Sequence, residues 1–113
     1  MKFTTRGITF EYEDVGNGTP LLLIHGFPLD HDMWRSQIEG LQAAARLIAP
    51  DLRGFGYSGD APEVMAMDDY AADLHALLHS LDIQQVILCG LSMGGYIALA
   101  FLAKQPEAVR GLI

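Results

Sequence analysis

Val86-Ile87-Leu88-Cys89-Gly90-Leu91-Ser92-Met93-Gly94-Gly95-Tyr96 runs from an unbroken apolar stretch, through a glycine-flanked serine, into a second apolar stretch. Val86–Cys89 shows no polar/apolar alternation, the pattern of a strand covered on both faces. Gly94–Gln105 is apolar almost all round, which predicts a buried helix, and Pro106 follows its end. Between them, Gly90-Leu91-Ser92-Met93-Gly94 spells G-x-S-x-G. A strand-to-helix turn is the setting in which that pattern carries chemistry. The turn is sharp, and Gly90 and Gly94 let the backbone pass close to itself. It projects the Ser92 hydroxyl, and the following helix aims free N–H groups and a partial positive charge at the same place. The Met93 N–H is the natural first donor to an oxyanion forming there.

Working outward, Lys2–Thr5 and Ile8–Asp14 flank Arg6-Gly7 and read as a hairpin. Gly16-Asn17-Gly18 and Pro20 mark a turn before Leu21–His25, a second continuous apolar run. Asp32 is placed to cap a helix whose apolar positions are Met33, Trp34, Ile38 and Leu41. Arg46–Ala49 is a short apolar strand stopped by Pro50. Asp51–Met65, with Gly54, Gly56, Gly59 and Pro62, reads as loop. Asp68–Leu81 is helical, with Tyr70, Leu74, Leu77, Leu78 and Leu81 on one face and two aspartates in its first turn. Ala108–Ile113 begins another strand. The order predicts an α/β fold: an antiparallel hairpin, then a mostly parallel sheet with helices on both faces. Residues 1–113 are expected to form one partial domain whose last strand is cut short.

The 113 residues carry 7 Lys+Arg against 14 Asp+Glu, a formal charge of −7. From Gly54 to Ala103 there is no Lys or Arg, so a phosphate backbone would be repelled and nucleic acid is excluded as a partner. The single Cys89 excludes an internal disulfide and a cysteine-based zinc site. It also suits a reducing compartment. No apolar run approaches the roughly 20 residues of a membrane span, and Met1–Gly18 lacks the apolar core of a signal peptide. A soluble cytoplasmic protein is expected.

Three segments carry a family resemblance: Leu23-Ile24-His25-Gly26-Phe27-Pro28, Pro50-Asp51-Leu52-Arg53-Gly54-Phe55-Gly56-Tyr57-Ser58, and Gly90-Leu91-Ser92-Met93-Gly94-Gly95-Tyr96. In order and spacing the chain resembles the N-terminal portion of an α/β-hydrolase-fold serine hydrolase. The H-G-F-P loop with a serine elbow is similar to small esterases, enol-lactonases and cofactor-free perhydrolases. The resemblance implies Ser92 as nucleophile and the Phe27 and Met93 backbone N–H groups as oxyanion hole. It implies a small carboxylic ester or lactone as substrate and no cofactor. Dehalogenases and epoxide hydrolases of this fold carry Asp at the elbow, and Ser92 argues against both. Asp51 and Arg53 are implied to brace their loop, and His25 to hold the oxyanion loop in shape.

The family's triad runs Ser, then Asp or Glu, then His. After Ser92 this chain has no Asp and no His, and Glu107 comes too early for the acid. A serine without a base is a weak nucleophile. The chain is therefore expected to be an incomplete N-terminal fragment. It either belongs to a serine hydrolase or is a non-catalytic half that self-associates or needs a complementing fragment along its truncated sheet edge. Trp34 and Tyr96 are candidates to line an acyl pocket and are equally explained as packing. His31 reads as a solvated loop residue. His75 and His79 stand one helical turn apart but lack the Glu beside the first His that a zinc-protease motif requires, so they read as surface histidines. No metal is expected. Gly54-Phe55-Gly56-Tyr57-Ser58-Gly59 spells G-x-G-x-x-G, but Asp60-Ala61-Pro62-Glu63 follows where a dinucleotide fingerprint needs a helix.

Overall fold

The computed structural model describes residues 1–62 and 64–113, so Glu63, part of the expected loop Asp51–Met65, lies outside the described residues. Lys2–Thr5 (β1) and Ile8–Val15 (β2) form the expected hairpin. Pro20–Ile24 (β3), Arg46–Pro50 (β4), Val86–Gly90 (β5) and Val109–Leu112 (β6) complete a six-stranded sheet in the order β1-β2-β4-β3-β5-β6. β2 meets β4 antiparallel, whereas the β3–β4, β3–β5 and β5–β6 pairs are parallel. This is the N-terminal portion of the expected α/β architecture.

Helices cover both faces. Arg35–Leu41 (α1) follows a 3₁₀ turn at His31–Trp34 and closes one face, where Leu23, Trp34, Ile38, Leu47 and Ala49 pack together. Met67–Ser80 (α2) and Met93–Lys104 (α3) cover the other, burying Leu74, Leu77, Ile97 and Phe101 against Leu22, Ile24, Ile48 and Leu88. α2 starts one residue earlier than its apolar face suggests, because the Asp69 carboxylate accepts the Ala66 N–H and closes the first turn. The first helix departs further from expectation. Met33 and Trp34 fall in the 3₁₀ turn, which Asp30 and not Asp32 caps, its carboxylate accepting the Asp32 N–H at 2.9 Å, and α1 itself has no side-chain cap.

An ion-pair cluster ties the hairpin to α2. The Arg53 guanidinium meets Asp73 in a two-pronged pair at 3.0 Å each, both side chains buried, and Arg53 also donates to the Arg6 carbonyl.

Strand order sets the place for a site. β3 sends the chain to β4 on one side, while β5 lies on its other side, so the connections leave the carboxyl ends of β3 and β5 in opposite directions. A crevice opens at such a switch point. Both decisive connections, residues 25–30 after β3 and 91–92 after β5, begin there.

Candidate active site

Ser92 has φ 55° and ψ −114°, a positive-φ conformation that side-chain-bearing residues rarely adopt. Holding it costs on the order of 1–3 kcal/mol, which surrounding packing must supply. The packing is visible in three glycines. A Cβ on Gly94 would strike the Ile24 and His25 carbonyls, one on Gly90 would strike the Gly94 carbonyl, and one on Gly26 would lie 2.9 Å from the Leu91 oxygen. Only glycine lets β3, β5 and α3 close this tightly. The Leu91 N–H donates to the Ile24 carbonyl at 3.2 Å and fastens the turn to β3. Ser92 is exposed at its tip.

The Gly26 backbone faces this serine: a Cβ there would come 3.5 Å from the Ser92 Cβ. The loop after β3 therefore lies directly against the elbow. Among the described residues, neither the Phe27 N–H nor the Met93 N–H donates to a protein acceptor. Both remain available beside Ser92.

The orientation of the Phe27 N–H follows from peptide planarity, since it shares a plane with the Gly26 carbonyl. That carbonyl accepts from the His25 ring at 3.0 Å and from the Leu29 N–H at 2.9 Å. The other ring nitrogen of His25 accepts the Leu52 N–H at 2.9 Å, so the network requires the neutral tautomer with its proton on Nδ1. Burial pushes the His25 pKa below its ordinary value and keeps it neutral. His25 thus shapes the loop, as the resemblance implied.

His31 is not a solvated loop residue. It is 8% exposed, turned inward by the 3₁₀ turn that Asp30 caps, and its Nδ1 donates to Asp51 at 2.7 Å. Asp51 is fully buried and braces two loops at once. Oδ1 also accepts the His31 backbone N–H at 2.8 Å, and Oδ2 accepts the Tyr57 N–H at 2.9 Å. Gly56 is required here because a side chain would collide with this carboxylate. Asp30, His31 and Asp51 bring three potential ligand atoms within 4.8 Å of one another. Protein donors already occupy both Asp51 oxygens, so the trio is built as a brace. The long-range pairing of His31 with Asp51, twenty residues on, was hidden from local pattern.

Tyr96 is 68% exposed and lines an open depression with Ser92, Gly95, Leu99, Leu112 and Ile113. Trp34 is not among these residues: it sits in the core under α1, its indole N–H buried without a partner among the described residues. His75 and His79 are exposed on α2, as expected, and line grooves beside Phe101 and Gln105 whose linings do not include Ser92. The G-x-G-x-x-G stretch forms turns around Asp51 and opens no helix.

A parallel-centred α/β sheet with an exposed serine on a strained strand–helix turn defines a class, the α/β hydrolases. The family model for the alpha/beta hydrolase fold matches residues 19–113, and the chain belongs to that family. A thermophilic esterase from Thermogutta terrifontis superposes with a TM-score of 0.93 at 46% identity, over 99% of this chain and 43% of that one. A putative non-heme chloroperoxidase of Synechocystis is 45% identical over 86% of this chain and 36% of its own length. Epoxide hydrolase 4 of Mus musculus is 39% identical over the whole of this chain and 33% of its own. The chain thus spans well under half the length of these relatives. No helix among the described residues is long and apolar enough to cross a membrane.

Proposed function

We propose that this chain carries the nucleophile and oxyanion hole of a serine hydrolase acting on small carboxylic esters or lactones. The observation that supports it is the exposed Ser92 at φ 55°, set against Gly26 with the Phe27 and Met93 N–H groups unpaired beside it. The Ser92 oxygen attacks the ester carbonyl, and its proton passes to a base. The two N–H groups hold the resulting oxyanion, the alcohol leaves, and water then releases the acid from the acyl-enzyme. Opening an epoxide through a covalent ester needs a carboxylate nucleophile. A serine hydroxyl favours acyl chemistry, in line with the esterase rather than the epoxide hydrolase among the relatives. The base is none of the four histidines. Both ring nitrogens of His25 are committed, His31 is turned inward with its Nδ1 on buried Asp51, and His75 and His79 lie on α2. In this reading base and acid come from outside residues 1–113, no cofactor takes part, and the protein works in the cytoplasm.

The test is hydrolysis of p-nitrophenyl butyrate by the full-length gene product and its Ser92→Ala variant. Loss of about a thousandfold or more in kcat supports the reading. Equal rates in the two overturn it.

A second reading has its own observation. β6 pairs only with β5 among the described residues, and Tyr96, Leu99, Leu112 and Ile113 stand 46–71% exposed beside that edge. An apolar edge of this kind favours pairing with a further strand, from a second copy or a complementing segment. Light scattering on the 113-residue chain decides: a clean monomer with cooperative unfolding counts against it.

A further inference from the structure

The loop between β3 and the 3₁₀ turn is anchored at both ends by a histidine, and the second anchor is particular to His31. The Leu29 N–H is one of the two donors that orient the Gly26–Phe27 peptide plane. Two residues on, both the backbone N–H and the ring of His31 converge on one oxygen of Asp51, at 2.8 and 2.7 Å. Asp51 cannot follow a moving loop. It is fully buried, its own N–H donates to the Glu11 carbonyl, its second oxygen is held by Tyr57, and its carbonyl accepts the Ser58 hydroxyl at 2.6 Å. The position of His31 is therefore fixed to the sheet, and through Leu29 so is the peptide that carries the Phe27 N–H.

We propose that His31 and Asp51 are positioning residues for the Ser92 site: they latch the far end of the loop so that the Phe27 N–H points where an oxyanion forms. The proposal rests on the serine-hydrolase reading for its catalytic consequence, but not for the latch itself. The charged groups around the His31 ring favour the closed form. Asp51 faces it from the end of β4, Asp32 lies 3.5 Å from Nε2, and Glu13 approaches from β2, bridged to Asp32 by Arg35 of α1. Asp30 flanks it, and neutral His25 adds no opposing charge. Burial works against the imidazolium, but the Asp51 hydrogen bond and the charges of Asp51, Asp32 and Glu13 outweigh it, so the His31 pKa rises. The latch is strongest with His31 protonated and slackens as pH climbs through that raised value.

Two variants and one spectroscopic measurement test this in the full-length gene product. His31→Ala keeps the backbone N–H and removes the ring. Its kcat for p-nitrophenyl butyrate, counted per Ser92 titrated with a fluorophosphonate, should fall about tenfold, with KM within about twofold. His31→Gln restores a neutral N–H donor. It should recover most of kcat and lose the alkaline decline that His31 imposes. In the parent, the Phe27 and Leu29 amide resonances should shift along the same titration curve as the His31 ring nitrogens. Unchanged kcat per active site in His31→Ala, with the parent's pH profile, overturns the latch. If the parent does not label at Ser92, the serine reading falls instead and the NMR arm decides alone: Phe27 and Leu29 amides that ignore the His31 titration overturn the proposal.

Discussion

The two loops that meet at the switch point are built on opposite plans. In the loop after β3 and its brace, buried polar groups are paired: His25 bonds twice, His31 twice to one oxygen, and Asp51 accepts on both oxygens. At the elbow after β5, the serine is exposed and strained and the Met93 N–H donates to no protein acceptor among the described residues. The first loop spends its buried side chains on rigidity and leaves its Phe27 N–H open, while the second is fastened through Leu91 and leaves Ser92 and the Met93 N–H open. A strained, unpaired turn persists only against a neighbour that cannot give way. The contrast is thus one of support and load, and each side can be perturbed separately.

The largest effect is expected where the two loops touch. Gly94→Val drives a side chain into the Ile24 and His25 carbonyls, which are backbone and cannot rotate aside. The chain should lose its cooperative thermal transition, read by circular dichroism at 222 nm. Next comes the brace. Asp51→Ala strands the His31 and Tyr57 N–H groups in the interior and should cost about 3–5 kcal/mol. Urea unfolding should show a lower midpoint at unchanged slope.

The load side should respond with the opposite sign. Ser92→Gly removes the nucleophile and relieves the positive φ, so stability should rise by about 1 kcal/mol. A loss of stability would mean that the elbow is not strained. The smallest effect separates the two histidines by pH. The folded pKa of His25 is lowered, so the unfolded chain gains a proton first, and its contribution to stability falls as pH drops below about 6.5. The folded pKa of His31 is raised, so its contribution is full below about 6.5 and is lost as pH rises through the folded value. Urea midpoints of the parent from pH 5 to 9 should decline at both ends. His31→Gln should abolish the alkaline decline and keep the acid one.

Much of the support was legible in the residues, because burial on both faces writes itself as unbroken apolar runs such as Leu21–Ile24 and Val86–Cys89. The elbow was legible for the same reason: sharp turns need glycine at fixed offsets. What stayed hidden depends on contacts between distant segments. Nothing near His31 announces a partner twenty residues on at Asp51, and the choice between Asp30 and Asp32 as cap is settled by where the chain leaves β3. Trp34 and Tyr96 looked alike as sequence. The first turned into the α1 layer and the second outward beside Ser92, a distinction set by which face of the sheet each helix covers.

The pairing of β3 has a consequence in time. Leu22 lies beside Ile48 on one flank and Leu88 on the other, so the strand that anchors the first loop waits for two later segments of the same chain. As the polypeptide leaves the ribosome, β4 is made before β5, so the second flank of β3 has no partner until Val86–Gly90 emerges. Closing that second flank is a long-range step and a slow one. The serine is drawn into its strained turn in the same event, because Leu91 and Gly94 have nothing to press against until Ile24 is flanked. The site is thus among the last parts of this chain to be born.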